Sequence, residues 1–118
     1  MGLFTLEEAR EVLSGLRPVL DEIVRQRADP AELGASARTG VRSPLGGLAE
    51  LKGVQARLDE AMTAVQQTGA ELKSLAPLLL DFPADRDGVP VLLCWLEGEP
   101  GLDWYHRADL GVAGRRPL

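Results

Sequence analysis

The fold is decided by VPVLLCWL, residues 89–96, an apolar run between two turn-forming segments. Asp87-Gly88 precedes it and Glu97-Gly98-Glu99-Pro100-Gly101 follows it, and both compositions are typical of hairpin loops. Branched and aromatic side chains between such signals predict a strand. A strand with one solvated face should alternate apolar and polar residues, and this one does not. We therefore expect both of its faces to be covered.

Two neighbouring segments extend this strand into a sheet. Leu78–Phe82 lies before the Asp-Gly turn, and the aromatic-rich Leu102–Arg107 follows the second turn. We predict a three-stranded antiparallel meander over residues 77–107. The loop lengths favour a register in which Phe82 faces Val89 and Trp95 faces Trp104, although Pro90 cannot donate to a strand ladder and disturbs the pairing near it.

This register assigns the side chains of the sheet to two faces, because side chains alternate along a strand. One face carries Leu78, Leu80, Phe82, Val89, Val91, Leu93, Trp95, Trp104 and His106. The opposite face carries Leu79, Asp81, Leu92, Cys94, Leu96, Asp103 and Tyr105. Helices can cover only one of them, and a single-layer sheet of three strands is marginal. We predict that a second copy of the chain covers the other face in a homodimer.

The first helix is predicted over residues 5–27. Thr5 and Glu8 have the spacing of a capping box, and apolar residues follow at intervals of three and four. Pro18 lies inside this pattern and predicts a kink.

A loop is predicted over residues 28–43, in which Asp29-Pro30 opens at most a short helical piece through Leu33. The glycine-rich stretch from Gly34 to Gly47 leads out of it, and the sequence does not decide whether that stretch is ordered. A second helix is predicted over residues 44–68, since Ser43-Pro44 is a start signal, although Gly46 and Gly47 favour a later start near Leu48. The predicted fold class is α+β: a single domain, 1–118, with a long two-helix hairpin, the meander and a tail, 108–118.

The charge and composition exclude several classes of protein. The net charge of −5 argues against a general nucleic-acid binder, which usually carries a basic surface. The apolar runs are far shorter than the roughly 20 residues that a membrane helix needs, and the N-terminus has no signal-peptide pattern. We therefore expect a cytoplasmic protein that does not bind membranes. The single cysteine, Cys94, excludes an internal disulfide and is expected to be a small buried apolar residue.

His106 is the only histidine and the first candidate metal ligand, with Glu99 and Asp109 in nearby loops as its candidate partners. Zinc usually takes three or four ligands from histidine, cysteine and carboxylates, and no recognised spacing of these residues is present. The alternative is a structural histidine. The sequence indicates no particular cofactor.

Asp81 is a carboxylate inside an apolar strand, where burial would raise its pKa unless a cation or backbone donors hold it. The structural alternative is an ion pair with an arginine at position 86, 115 or 116. The functional reading makes Asp81, Glu99 and His106 the candidate catalytic residues.

The aromatic residues and the arginines are the remaining candidates. Trp95, Trp104 and Tyr105, with Arg115, are candidates for binding an unidentified small molecule, although aromatic pairs across strands are more often core or interface. A basic set in the middle loop and the tail is a candidate for anion binding: Arg38, Arg42, Arg107, Arg115 and Arg116. The tail can equally reach a partner subunit.

Several short motifs carry a resemblance: FTLEEA at 4–9, DFPA at 81–84, LCW at 93–95, GEP at 98–100, YH at 105–106 and GVAGR at 111–115. Together they resemble a small prokaryotic family known as domain of unknown function 2203. The resemblance implies no activity, because the family has no established one. The family pattern has Trp-His-Glu where this chain has Tyr105-His106-Arg107, and an arginine soon after the Cys-Trp pair where this chain has Leu96-Glu97. The missing carboxylate after His106 weakens a metal or acid–base role.

These observations favour a small homo-oligomeric interaction module of unknown function. The first alternative is a metal-binding protein or an enzyme with a pocket around Asp81, Glu99 and His106. The second alternative is a protein that binds anions or phosphates through the arginines of its tail and middle loop.

Overall fold

A computed structural model describes residues 2–118 and shows three helices followed by an antiparallel sheet of five strands. The elements are α1 (Leu6–Gln26), α2 (Ala28–Thr39), α3 (Leu48–Gln67), β1 (Glu71–Leu75), β2 (Leu78–Arg86), β3 (Val89–Leu96), β4 (Trp104–Arg107) and β5 (Arg116–Pro117). The strands are adjacent in chain order. The α+β class is confirmed, and the prediction of three strands is wrong.

The two additional strands lie at the edges of the sheet, where sequence signals are weak. β1 pairs with β2 through a bulge between Leu72 and Ser74, which breaks the alternation that identifies a strand. β5 has only two residues and contains Pro117, and it pairs with Trp104 and Tyr105 of β4. A proline in a short polar segment argues against a strand unless that strand is an edge.

Helix α1 begins with the predicted capping box. Thr5 Oγ1 accepts a hydrogen bond from the Glu8 amide at 3.1 Å, and the Glu8 carboxylate accepts one from the Thr5 amide at 2.9 Å. The helix is bent and continues through Pro18 to Gln26. Its buried stripe packs in the main core and consists of Ala9, Leu13, Leu16, Leu20 and Ile23.

The segment predicted as a loop over residues 28–43 instead contains α2. Asp29 lies in the first turn of this helix, buried Leu33 anchors it, and Gly40 ends it with a φ of 74°. Glycine and serine have low helix propensity, so the local signal for a helix beyond Leu33 is weak. Helix α3 then begins at Leu48. Residues 43–46 form a turn that the Gly46 amide closes on the Ser43 carbonyl, and Gly46 has a φ of 123°, which is not helical.

The strand register differs from the predicted one at both hairpins. Between β2 and β3, Phe82 faces Leu93 instead of Val89, a shift of four residues. Because the shift is an even number of residues, every side chain of these two strands stays on its predicted face. Between β3 and β4 the shift is a single residue, because Cys94 rather than Trp95 faces Trp104. A shift of one residue moves the whole strand to the opposite face. Trp104 and His106 therefore share a face with Asp81 and Cys94, whereas Tyr105 lies on the other.

We call the two sides of the sheet the inner face and the outer face. The inner face packs against α1 and α3 and carries the apolar core residues Leu78, Leu80, Phe82, Ala84, Val91, Leu93 and Trp95. The outer face carries Leu79, Asp81, Pro83, Leu92, Cys94, Leu96, Trp104 and His106. None of the helices in the described part of the chain is long and apolar enough to cross a bilayer.

Arg27 joins the helices to the sheet at the end of α1. Its Nη1 donates to the Leu75 carbonyl at 2.9 Å, and its Nη2 donates to the Glu97 carboxylate at 2.9 Å. Glu97 also accepts the Leu78 amide at 2.9 Å. The hydrogen bond from Arg27, and then the one from Leu78, lower the pKa of Glu97 to about 2. The ion pair therefore attaches the junction of α1 and α2 to the β1–β2 connection at Leu75 and to the β3–β4 loop at Glu97.

Candidate functional site

Three potential ligand residues meet on the outer face, one from each of the three central strands. Asp81 lies on β2, Cys94 faces it on β3, and His106 lies on β4. The Asp81 Oδ1 and His106 Nε2 atoms are 3.3 Å apart, and the ligand atoms of all three residues lie within 4.8 Å of one another. The residues are 2%, 0% and 3% exposed, respectively. We call this set the buried triad.

The imidazole of His106 is held in one orientation by the backbone. Its Nδ1 lies 2.9 Å from the Leu110 carbonyl oxygen and 3.0 Å from the Arg107 carbonyl oxygen. Carbonyl oxygens only accept hydrogen bonds, so Nδ1 must carry a proton and donate it. The other nitrogen, Nε2, is consequently directed at Asp81. This arrangement leaves Nε2 as the atom of His106 that can bind an ion or share a proton with the carboxylate.

The Cys94 thiol holds its proton strongly in the folded chain. Burial raises the pKa of Cys94 to about 12, and the neighbouring Asp81 charge adds to the increase, while Arg115 acts in the opposite direction. A thiol with this pKa is a poor nucleophile at neutral pH. Cys94 can become a thiolate only if a cation at the site compensates for its charge.

Arg115 and Trp104 border the triad at Cys94. The Arg115 Nη2 donates to Glu99 Oε1 at 2.6 Å and lies 3.3 Å from the Cys94 carbonyl oxygen. The guanidinium carbon is 5.0 Å from the centroid of the Trp104 ring. Burial alone would lower the pKa of Arg115, but its hydrogen bond to Glu99 and its neighbouring groups raise it.

The C-terminal tail contacts the triad at two points, through Leu110 and through Arg115. The chain leaves β4, turns through Leu110, whose carbonyl holds His106, and passes a short 3-10 helix at Val112–Gly114 before Arg115. A Cβ on Gly114 would lie 3.0 Å from atoms of the Leu110 side chain. Glycine at position 114 therefore lets the tail fold closely enough to keep the Leu110 carbonyl on His106.

The candidate catalytic and metal residues are only partly brought together. Asp81 and His106 are in direct contact, whereas Glu99 binds Arg115, which contacts the carbonyl oxygen of Cys94. Asp109 is exposed and pairs with Arg107 at 2.9 Å, outside the triad. Cys94, which was expected to be only a small apolar residue, is the third member of the set. The wrong register placed His106 on the opposite face from Asp81 and Cys94 and so concealed the group.

The aromatic residues do not form one platform. Trp104 lies on the outer face beside Arg115, whereas Trp95 is buried on the inner face, with its Nε1 donating to the Glu99 carbonyl at 2.9 Å. Tyr105 is on the inner side, where the Arg86 guanidinium carbon lies 4.4 Å from its ring centroid. Among these candidates, Trp104 and Arg115 are the two that border the triad.

The candidate anion-binding arginines are similarly divided. Arg107 and Arg115 each have a carboxylate partner, Asp109 and Glu99. Arg38 lies in the last turn of α2, in the helical layer. The charges of Arg107 and Arg115 are thus compensated by neighbouring acids, whereas Arg116 is exposed in β5, and this division weakens the case for an anion site.

The buried triad fits the requirements of a transition-metal site. Zinc is bound at about 2.3 Å by thiolate and about 2.0–2.2 Å by imidazole and carboxylate, so ligands of one ion lie roughly 3.5 Å apart. Asp81 and His106 have about this spacing, at 3.3 Å, and the Cys94 sulfur lies within 4.8 Å of both ligand atoms. Within residues 2–118 it is the only group of three such side chains close enough to bind one ion.

Comparison with known proteins gives one result. A family model described as "Uncharacterized conserved protein (DUF2203)" matches residues 2–118, essentially the whole chain. No curated protein and no solved structure matches the chain.

Proposed function

The chain belongs to the DUF2203 family, whose description names no activity, and we propose from the geometry of the buried triad that it binds a divalent transition-metal ion. Asp81, Cys94 and His106 are the ligands. Cys94 binds through its thiolate, His106 through Nε2 and Asp81 through a carboxylate oxygen. Two anionic ligands and one neutral imidazole balance the charge of a divalent ion.

The orientation of His106 is the observation that carries this proposal. Metal-binding histidines almost always donate their other ring N–H to a carbonyl, carboxylate or water, which fixes the tautomer. The Leu110 and Arg107 carbonyls play this part for Nδ1. An imidazole fixed in this way, with a carboxylate at 3.3 Å and a thiol nearby, is already arranged for coordination.

The ligand types select the class of ion. Thiolate and imidazole favour zinc, cobalt, nickel or copper, whereas magnesium and calcium require sets of oxygen ligands. The burial of all three residues favours an ion that tolerates low coordination, and Zn²⁺ meets both conditions. We therefore take Zn²⁺ as the expected ion and Co²⁺ as its spectroscopic substitute.

Catalysis by Asp81 and His106 is less well supported. A substrate would have to reach two side chains that are 2% and 3% exposed. The tail contacts His106 through the Leu110 carbonyl, and the Cys94 thiol is protonated at neutral pH. A metal ion is much smaller than a substrate and can remain buried once it is bound. Metal binding is therefore favoured over catalysis by an acid–base pair.

Calorimetric titration of the metal-stripped protein with Zn²⁺ tests this proposal. We expect one ion per chain, and the single variants Asp81→Ala, Cys94→Ser and His106→Gln should each bind more than about 100-fold more weakly, because losing a ligand costs more than losing a residue that supports one.

Asp109→Asn is the matched control, since Asp109 is an exposed carboxylate near the site that contacts Arg107 instead of the triad. Its affinity for Zn²⁺ should equal that of the wild type. The proposal is contradicted if the wild-type protein binds no Zn²⁺, or if Asp109→Asn loses as much Zn²⁺ affinity as the three ligand variants do.

A homodimer is the second candidate, favoured by the apolar character of β3 on both faces. Leu79, Leu92 and Leu96 are only half-buried on the outer face, and the tail exposes Leu110 and Val112 at 46% and 41%. A second copy packed against the outer face and tail would cover these side chains. This assembly would make the protein a small homo-oligomeric interaction module in addition to a metal binder.

Sedimentation equilibrium tests the dimer. Wild-type protein should have twice the chain mass, and Val112→Glu should shift it to the monomer because the charge would be buried in the interface. Leu48→Glu is the control, since Leu48 is 62% exposed on α3 and away from the sheet. A wild-type monomer at high micromolar concentration rules the dimer out.

The remaining proposals concern location and other ligands. We propose a cytoplasmic protein without nucleic-acid partners, the latter on the basis of the net charge of −5. Anion binding by the arginines is the least supported function, because Arg107 and Arg115 already pair with carboxylates.

A further inference from the structure

We propose that Arg115 is a positioning residue of the metal site: its buried guanidinium donates a hydrogen bond to the Cys94 sulfur when that sulfur binds the ion. This inference rests on the proposed metal site. It assigns a role to a residue that lies outside the ligand set and outside the central strands.

The guanidinium of Arg115 is held on three sides. Glu99 accepts from Nη2 at 2.6 Å, the Cys94 carbonyl oxygen lies 3.3 Å from the same nitrogen, and the Trp104 ring lies beneath the group at 5.0 Å. The Glu99 carboxylate is fixed in turn by the Leu96 amide at 2.7 Å. These contacts hold the guanidinium beside Cys94 instead of leaving it free in solvent.

One donor of this group lacks an acceptor. The Arg115 Nε is buried and has no hydrogen-bond partner among residues 2–118. A buried polar group left without a partner is costly, and each such group in a native structure calls for an explanation. A partner that is present in only one state of the protein, such as a metal-bound sulfur, explains a donor that is unpaired in the other.

The Cys94 sulfur is the acceptor that changes between the two states. A neutral thiol accepts hydrogen bonds weakly, whereas a thiolate carries a full charge and accepts strongly. Arg115 already acts on the Cys94 side chain, because its positive charge opposes the increase in the pKa of Cys94 that burial causes. Metal binding therefore creates a strong acceptor on Cys94, the residue whose carbonyl oxygen already lies 3.3 Å from the guanidinium that carries the unpaired donor.

The geometry of arginine is essential to this role. Nη2 serves Glu99 while Nε remains available, and a planar guanidinium can serve both at once. Lysine has a single ammonium group on a flexible stem, so it can retain the charge but cannot make both contacts in a fixed plane. Arg115→Lys should therefore restore only part of the function, and Arg115→Met keeps the stem while removing all donors.

The experiment measures Zn²⁺ affinity by competition with a chromophoric chelator, and the Co²⁺ absorption spectrum, for the wild type and the two Arg115 variants. Arg115→Met should weaken Zn²⁺ binding about 10–100-fold, the usual effect of losing a residue that supports a ligand. Its sulfur-to-cobalt charge-transfer band should move to lower energy, because the hydrogen bond that stabilises the sulfur electrons is gone. The Zn²⁺ affinity of Arg115→Lys should lie between those of the wild type and Arg115→Met.

Arg10→Met is the matched control, because Arg10 is an arginine of α1 whose carboxylate partner is the exposed Asp103. Its affinity and band position should equal those of the wild type. If Arg115→Met binds as tightly as the wild type, or binds more weakly with an unshifted band, Arg115 has no contact with the metal-bound sulfur and the inference is overturned. A wild-type chain that binds no Zn²⁺ overturns the proposed function as well, and the two failures are thereby distinguished.

Discussion

The two faces of the sheet are both buried, but they are buried in different ways. On the inner face, α1 and α3 cover apolar side chains such as Leu80, Phe82 and Leu93. On the outer face, Asp81 and His106 are polar side chains that are 2% and 3% exposed, and a short tail contacts His106 through the Leu110 carbonyl. Burying polar groups stabilises a fold less than burying apolar groups of similar size. The inner face therefore supports the fold, and the outer face has a composition that suits a binding site.

This difference predicts a hierarchy of stability effects, and the largest belongs to the inner face. Phe82 is completely buried, and its ring contacts Phe4 edge to face with centroids 5.3 Å apart. Phe82→Ala should cost about 3–5 kcal/mol of the free energy of unfolding, the usual effect of removing a buried aromatic ring. Urea denaturation measures it. A cost below that of the outer-face variant described next would reverse the hierarchy.

The outer face should show an intermediate effect in the absence of metal. Asp81→Asn preserves the shape of the side chain but changes its charge and its hydrogen bonding to His106. We expect a loss of about 1–3 kcal/mol, the cost of disturbing a buried polar group. Asp103→Asn is the control, because Asp103 is an exposed carboxylate on the β3–β4 loop. Equal denaturation midpoints for the two variants would show that the triad does not contribute to stability.

The Arg27–Glu97 ion pair between helices and sheet should make the free energy of unfolding depend on pH. Glu97 has its pKa lowered to about 2 in the folded chain, mainly by Arg27, against an ordinary value of about 4.3 in the unfolded chain. The ionised carboxylate therefore stabilises the fold fully above about pH 5, and this contribution is lost as the pH falls towards 2. Glu97→Gln should destabilise the protein at pH 6 and less so at pH 3. A gap between the two urea midpoints that is constant with pH contradicts this expectation.

The smallest effect concerns the helical layer alone. Thr5→Ala removes the hydroxyl that caps α1 and should cost about 1 kcal/mol, as other N-cap substitutions do. Thr5→Ser retains the hydroxyl and should restore most of the lost stability. Thermal unfolding of the three proteins measures the difference. Because α1 packs against the inner face and the triad lies on the outer face, neither variant should alter Zn²⁺ affinity, and a change in affinity would indicate that the two layers are coupled.

The sequence predicts α1, α3 and the inner-face positions of β2 and β3 better than it predicts α2 or the site. The capping box at Thr5 and the apolar stripe of α1 are local patterns, and the helix that they predict is present. The inner-face positions of β2 and β3 also follow from alternation, which survives an even shift of register. Each of these features depends on residues that are close in sequence.

The triad could not be predicted because it depends on one residue of register. The loop between β3 and β4 places Cys94 opposite Trp104, and this choice decides whether His106 lies with Asp81 or on the other face. Apolar residues on both sides of β3 give no preference between the alternatives. The position of the tail could not be predicted either, because it depends on β4. Its two-residue strand, Arg116–Pro117, pairs with β4, and its Leu110 carbonyl contacts His106.

Cobalt substitution is the most direct test of the central claim that Asp81, Cys94 and His106 bind one metal ion. Titration of the metal-stripped protein with Co²⁺ should produce a sulfur-to-cobalt charge-transfer band that saturates at one ion per chain. The band should be absent in Cys94→Ser, which removes the only sulfur ligand. A wild-type titration that yields only the spectrum of hydrated Co²⁺ would contradict the account and leave the buried triad as a structural feature of the sheet.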